Sequence, residues 1–183
     1  MAALVTTTVK AADVQPIVVP AAPPVVVSVP VPVFDWAGFY AGPIVAIFEP
    51  FDSRSLGLGG VAGFNVTRGN LVAGAELDVY ALFFNGIGGG HTNLEVIGRG
   101  RIGTALGAEN RLLVYGAAGA GLYRSLVGLP DQGLFAHFAI GAEYALGSRV
   151  SLRAETSTYH YPSCFFPCTD LQFTGGVLFH FGG

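Results

Sequence analysis

The chain has 183 residues, of which 51% are hydrophobic and only 11% charged, with 27 glycines, 11 prolines and a net charge of −3. Soluble domains average about 25% charged residues, so a solvated globular enzyme is disfavoured. The nine basic residues are scattered rather than clustered, which argues against a nucleic-acid-binding face. The 12% of aromatic residues argues against disorder over most of the chain. What remains is a protein whose outside is apolar.

At the N-terminus, Val9-Lys10-Ala11 before Ala12 has the small-residue spacing of a signal-peptidase site. Residues 1–11 are therefore expected to be the remnant of a signal peptide, and residues 12–35 a Pro/Val-rich periplasmic tail. Val14 to Phe34 is the one stretch long and charge-free enough for a spanning helix, but it holds six of the eleven prolines, each of which removes a helical hydrogen bond. Held in extended polyproline form, Ala12 to Phe34 would reach about 70 Å at about 3.1 Å per residue. With a spanning helix ruled out, the other structure that satisfies its backbone in hydrocarbon is a closed β-barrel.

Residues 36–181 divide into eight β-rich runs: roughly 39–48, 56–66, 71–83, 94–106, 112–123, 134–146, 150–159 and 171–181. Each is long enough to cross a bilayer as a tilted strand, which takes about 9–11 residues. Charge placement sharpens the expectation. Glu76 and Asp78 share one parity, as do Glu95, Arg99 and Arg101, and Arg153 and Glu155, while Glu143 stands alone in its run. Random placement would give this roughly one time in sixteen, because alternate strand residues face opposite sides. The opposite parity is apolar or small, as in Leu71, Ala73, Ala75, Leu77 and Val79. The pattern predicts an eight-stranded antiparallel transmembrane β-barrel with an apolar outside and a polar lumen. Tight turns after the even runs and longer loops after the odd ones put both termini in the periplasm. Pro43 cannot donate to a ladder, so a bulge or local irregularity is expected in the first strand.

Trp36-Ala37-Gly38-Phe39-Tyr40-Ala41-Gly42, Leu71 to Asp78, Gly98 to Gly103, Tyr115 to Gly119, Gly141 to Leu146 and Leu152 to Glu155 together resemble the small eight-stranded, porin-like immunogenic outer-membrane proteins of alphaproteobacteria. The resemblance is collinear from Trp36 to Phe181. It implies a mature N-terminus of the Ala-Asp type joined covalently to the peptide stem of peptidoglycan, with Ala12 supplying the α-amino group and Asp13 recognised beside it. Thr174-x-Gly176-x-x-Phe179-x-Phe181 is similar to the C-terminal signal read by the outer-membrane insertion machinery. Its other reading is a last strand with lipid-facing aromatics, and the two are compatible.

The lumen-parity charges are Glu76, Asp78, Glu95, Arg99, Arg101, Glu143, Arg153 and Glu155. They could line the charged constriction of a small-solute channel or form a plug of mutually satisfied ion pairs. The plug is preferred, because an eight-stranded lumen is just wide enough for side chains to fill and buried charges survive when paired. Cys164 and Cys168 flank Phe165-Phe166-Pro167 in the last long loop and suggest a disulfide, or else two free thiols. His137 and His180 share the lumen parity, whereas His91 and His160 fall in loops, too dispersed for a metal site. No Ser-His-acid set assembles at matching heights, so no enzyme and no cofactor is expected. The functional expectation is a structural outer-membrane barrel, in contact with lipid and lipopolysaccharide and tethered to peptidoglycan. The alternatives are a surface binding or adhesion module and a narrow porin-like channel.

Overall fold

The computed structural model describes residue 3 and residues 33–49, 55–84, 91–127, 131–162 and 169–182. Ala12, Asp13, Cys164 and Cys168 lie outside the described residues. Eight strands follow in chain order: β1 (Gly38–Glu49), β2 (Ser55–Arg68), β3 (Leu71–Phe84), β4 (His91–Leu106), β5 (Leu112–Val127), β6 (Gln132–Ala145), β7 (Val150–His160) and β8 (Thr169–His180). Each pairs antiparallel with the next, and β8 returns to β1 to close the barrel.

Period-two patterning produces this arrangement. In β3, Val72, Glu76, Asp78, Tyr80 and Leu82 are buried while Leu71, Leu77 and Val79 face out, as alternation on a pleated strand requires. The outside is apolar around the circumference: Val45, Leu77, Ile102, Leu122, Phe138 and Ile140 are each between 51% and 67% exposed. An apolar belt of that extent belongs against hydrocarbon, and closing the sheet leaves no unpaired edge there.

Register brings charges opposite one another. Glu76 lies across from Arg99 on the β3/β4 seam, and Glu143 across from Arg153 on the β6/β7 seam. A one-residue slip of any of these strands would carry that strand's lumen charges to the lipid face.

The strands run further than periodicity indicates at the end bearing the long connections. β4 begins at His91 and β5 continues to Val127. Thr92, Asn93 and Ser125 look like loop residues, yet they pair across β4 and β5, with a register shift between Thr92 and Asn93. Ser125 N–H also donates to the Asp131 carbonyl at 2.8 Å. At Pro43 no bulge forms: β1 keeps an unbroken register against β2. Against β8 the pairing skips Gly42 and Pro43, then resumes at Ile44 in the same register. The missing donor thus interrupts one ladder locally and shifts neither strand.

The inside is layered. At the end carrying the tight turns, Phe34, Trp36, Val72, Ala105, Leu113 and Ala145 form an apolar floor. Ile44, Val61, Tyr80, Leu82, Ile97, Phe135 and Tyr159 belong to a second apolar cluster, and the charged side chains lie between the two. The belt predicts a depth-dependent penalty for charge: Phe138→Arg, midway along β6, should cost about 2–4 kcal/mol, and Leu146→Arg at the rim about 0–1 kcal/mol. Reversible urea unfolding in lipid vesicles measures both, and equal losses would contradict a hydrocarbon-facing wall.

Candidate functional site

Glu76 is the hub of the lumen. Its Oε1 accepts from Tyr40 OH at 2.5 Å, Arg101 Nη1 at 2.9 Å and Arg153 Nη2 at 2.5 Å, and its Oε2 from Arg99 Nε at 2.8 Å. One carboxylate therefore touches all three lumen arginines. Glu143 accepts from Arg101 Nη1 at 2.5 Å and Arg153 Nη2 at 2.7 Å. Glu155 accepts from Arg99 Nη1 at 2.5 Å and from Tyr115 OH at 2.7 Å. Asp78 lies 3.2 Å from Arg99 Nε, an ion pair without the alignment of a hydrogen bond.

Tyr40 comes from β1 and Tyr115 from β5. The Arg101 guanidinium sits 4.7 Å from the Tyr40 ring centre and 4.9 Å from that of Tyr115. Arg153 sits at 5.8 and 5.5 Å from the same rings. Each cation is thus held edge-on by carboxylates and within cation–π range of two phenols, the arrangement that suits a planar guanidinium.

The floor is built from residues that precede β1. Phe34 N–H donates to the Glu109 carbonyl at 2.9 Å, and Trp36 Nε1–H to the Asn110 carbonyl at 2.7 Å. The Phe34 and Trp36 rings meet edge-on at 4.6 Å, and both pack on His180. Asn65, wholly buried, links floor to network: its Nδ2 donates to the Trp36 carbonyl at 3.0 Å while its Oδ1 accepts from Arg101 Nε at 3.0 Å. At Gly38 (φ +101°) a Cβ would press into the Gly182 backbone, so only glycine lets the chain turn from the floor into β1 there. Sequence reasoning groups Phe34 with the tail by composition; its burial had no local signal.

The structure thus brings together Glu76, Asp78, Arg99, Arg101, Glu143, Arg153 and Glu155. Glu95 is buried but stands apart from them, towards the end with the long connections. Thr174 points into the lumen, whereas Phe179 and Phe181 face outward near the floor. His137 and His180 are buried in the lumen and His160 is exposed.

One cluster was not legible in the sequence. Ser151 Oγ lies 2.9 Å from His180 Nε2 and 3.3 Å from Glu143 Oε2, so a serine, a histidine and an acid do meet. The acid contacts the serine rather than orienting the imidazole, and all three are buried, with Trp36 packed on the His180 ring. A nucleophilic triad needs the opposite order, with the acid behind the histidine, and an accessible serine. Among the described residues no group of three or more His, Cys, Asp or Glu is placed to hold a metal.

The fold is shared with barrels of known structure. The N-terminal β-barrel domain of OprF from Pseudomonas aeruginosa overlays with a TM-score of 0.57 at 12% identity, covering 79% of this chain and 97% of that one. Neisserial surface protein A gives 0.53 at 15% identity, covering 79% and 98%. Ail, the attachment invasion locus protein of Yersinia pestis, gives 0.57 at 8% identity, covering 79% and 97%. No family model and no curated protein matches the sequence. The shared architecture is the small eight-stranded outer-membrane barrel.

The network predicts strong asymmetry between single and paired substitutions. Glu76→Gln leaves Arg101 and Arg153 sharing Glu143 and should cost about 3–5 kcal/mol, whereas adding Arg153→Met should recover much of that loss. Urea unfolding of wild type, both single variants and the double mutant tests it; a double mutant as unstable as the sum of the singles would contradict mutual pairing.

Proposed function

We propose that this barrel resides in the bacterial outer membrane as a non-catalytic structural element. Its turn end and both termini face the periplasm, and its proline-rich tail joins it to peptidoglycan. The observation that carries the structural reading is the filled lumen: three arginines and four carboxylates in mutual contact, with the floor packed by Phe34 and Trp36. A diffusion channel needs water where these side chains touch.

The tether rests on the resemblance to alphaproteobacterial outer-membrane barrels, in which the Ala12 α-amino group is the expected point of linkage and Asp13 the recognised neighbour. The floor supports it physically. A load on the tail would fall on two buried aromatic residues, one donating a side-chain and the other a backbone hydrogen bond to the 107–111 turn, rather than on a frayed strand end. Lipid and lipopolysaccharide surround the apolar belt in this reading, and the insertion machinery reads Thr174, Gly176, Phe179 and Phe181. Adhesion is the secondary reading, because the connections at the far end, though longer than the tight turns, offer little surface to a partner, the longest being residues 161–168.

Two measurements test the proposal. Sacculi boiled in SDS and digested with muramidase should release muropeptide-bearing fragments that begin at Ala12; recovery of unmodified N-termini alone would remove the tether. In planar bilayers the full chain should give no reproducible single-channel step, and a stable step would replace the plug with a pore.

A further inference from the structure

Five acids and three arginines share the inward faces of β3, β4, β6 and β7, and four of those acids engage the arginines. Glu95 does not. It is 2% exposed, its Oε2 has no hydrogen-bond partner, and no ion pair joins it to a described residue. A second acid, Asp170, stands at the same end of the lumen, cross-strand from Tyr159. A buried carboxylate without a counter-charge is costly, and such groups are normally paired.

Its surroundings are aromatic. Glu95 is directly cross-strand from Tyr80 and from Tyr123. Tyr159 belongs to the apolar cluster at this end of the lumen, and Tyr123 and Tyr161 pack against it. Tyr123 and Tyr161 meet edge-on at 6.0 Å, and Phe135 lies 4.8 Å from the Tyr159 ring and 5.8 Å from that of Tyr161. Exposure rises outward, from buried Glu95 through half-buried Tyr123, Tyr161 and Asp170 to exposed Asp131, whose carboxylate accepts from Tyr123 OH at 3.4 Å. Acids and aromatic rings thus follow one another from the mouth of the barrel to the buried carboxylate.

We propose that this vestibule binds a small alkylammonium ion, with Glu95 as its counter-ion and the rings of Tyr123, Tyr159 and Tyr161 as its walls. An ammonium fits better than a divalent metal: hard cations take six or more oxygen ligands, whereas an ammonium gains from a single carboxylate together with aromatic faces. The slender alkyl body would lie between the tyrosine rings, and Asp170 and Asp131 would draw the cation in from solvent.

The test is calorimetric titration of the refolded full chain in detergent with n-butylammonium, using n-butanol as the uncharged control. The expected result is saturable binding of the amine, none of the alcohol, and at least a tenfold loss in Glu95→Gln with circular dichroism and heat-modifiable gel migration unchanged. If Glu95→Gln does not fold, Tyr161→Leu, outside the strands, should weaken binding several-fold. An absence of saturable binding to wild type would overturn the proposal and leave Glu95 as a carboxyl neutralised by its own proton. Equal affinity in Glu95→Gln, or in Tyr161→Leu where that variant is the test, would overturn it as well.

Discussion

The interaction on which the barrel depends is the contact of one buried carboxylate, Glu76, with three guanidinium groups. Removing a charge from water costs several kcal/mol even after relaxation, and neighbouring charges repay it only when geometry is good and the remaining donors and acceptors are filled. Such a network favours all-or-nothing assembly: Arg101 and Arg153 each need both Glu76 and Glu143, and Arg99 needs Glu76 and Glu155. These residues come from β3, β4, β6 and β7, so the register of one seam constrains the others. Hydrophobic alternation alone would tolerate a two-residue slip, which preserves inside and outside. The ion contacts do not, because a two-residue shift moves Arg99 away from Glu76 along the barrel axis.

The layers above and below follow from the same constraint. Water entering the network would weaken every pair by raising the local dielectric, and apolar layers exclude it. The floor uses Phe34 and Trp36, brought in from outside the strands, because the inward positions of that end are small or slender: Val72, Ala105, Leu113 and Ala145. Asn65 lets the floor and the network share one polar atom group, donating up the chain to Trp36 and accepting from Arg101. The segment leading into β1 is in this way part of the lumen's hydrogen bonding rather than a lead-in to it.

The fold was legible because a strand's two faces are a strict property of its chemistry. Glu76 with Asp78, and Arg99 with Arg101, share a parity because they stand on a common polar side, and the turn residues between the runs give the strand count. What remained hidden depends on height along the barrel, which parity does not carry. Ser151, His180 and Glu143 meet because three strands bring them to the same level at the floor, and spacings of 8 and 29 residues in sequence give no hint of it. Glu95 has the same parity as Arg99 on the same strand, yet four residues place it a full layer away, among tyrosines instead of arginines. Composition misplaces the strand ends at Thr92 and Asn93, because polar residues that pair at the mouth of the barrel have the composition of a loop.

Glycine content explains how so narrow a lumen holds two tyrosines and three arginines at one level. At Gly63 an added Cβ would run into the Tyr40 ring, and at Gly141 into the Tyr115 ring. Each phenol therefore lies flat against a bare stretch of the neighbouring strand, Gly63 being on β2 beside β1 and Gly141 on β6 beside β5. Pressed to the wall, the two rings leave the axis free for guanidinium groups and still present their hydroxyls to Glu76 and Glu155. A methyl group at either position would push a ring inward to where Arg101 now stacks, and the network would lose a cation–π face together with a hydrogen-bond donor. The same glycines cost backbone entropy and strand propensity. Their presence on the inner face is accounted for by the space that the charged layer requires.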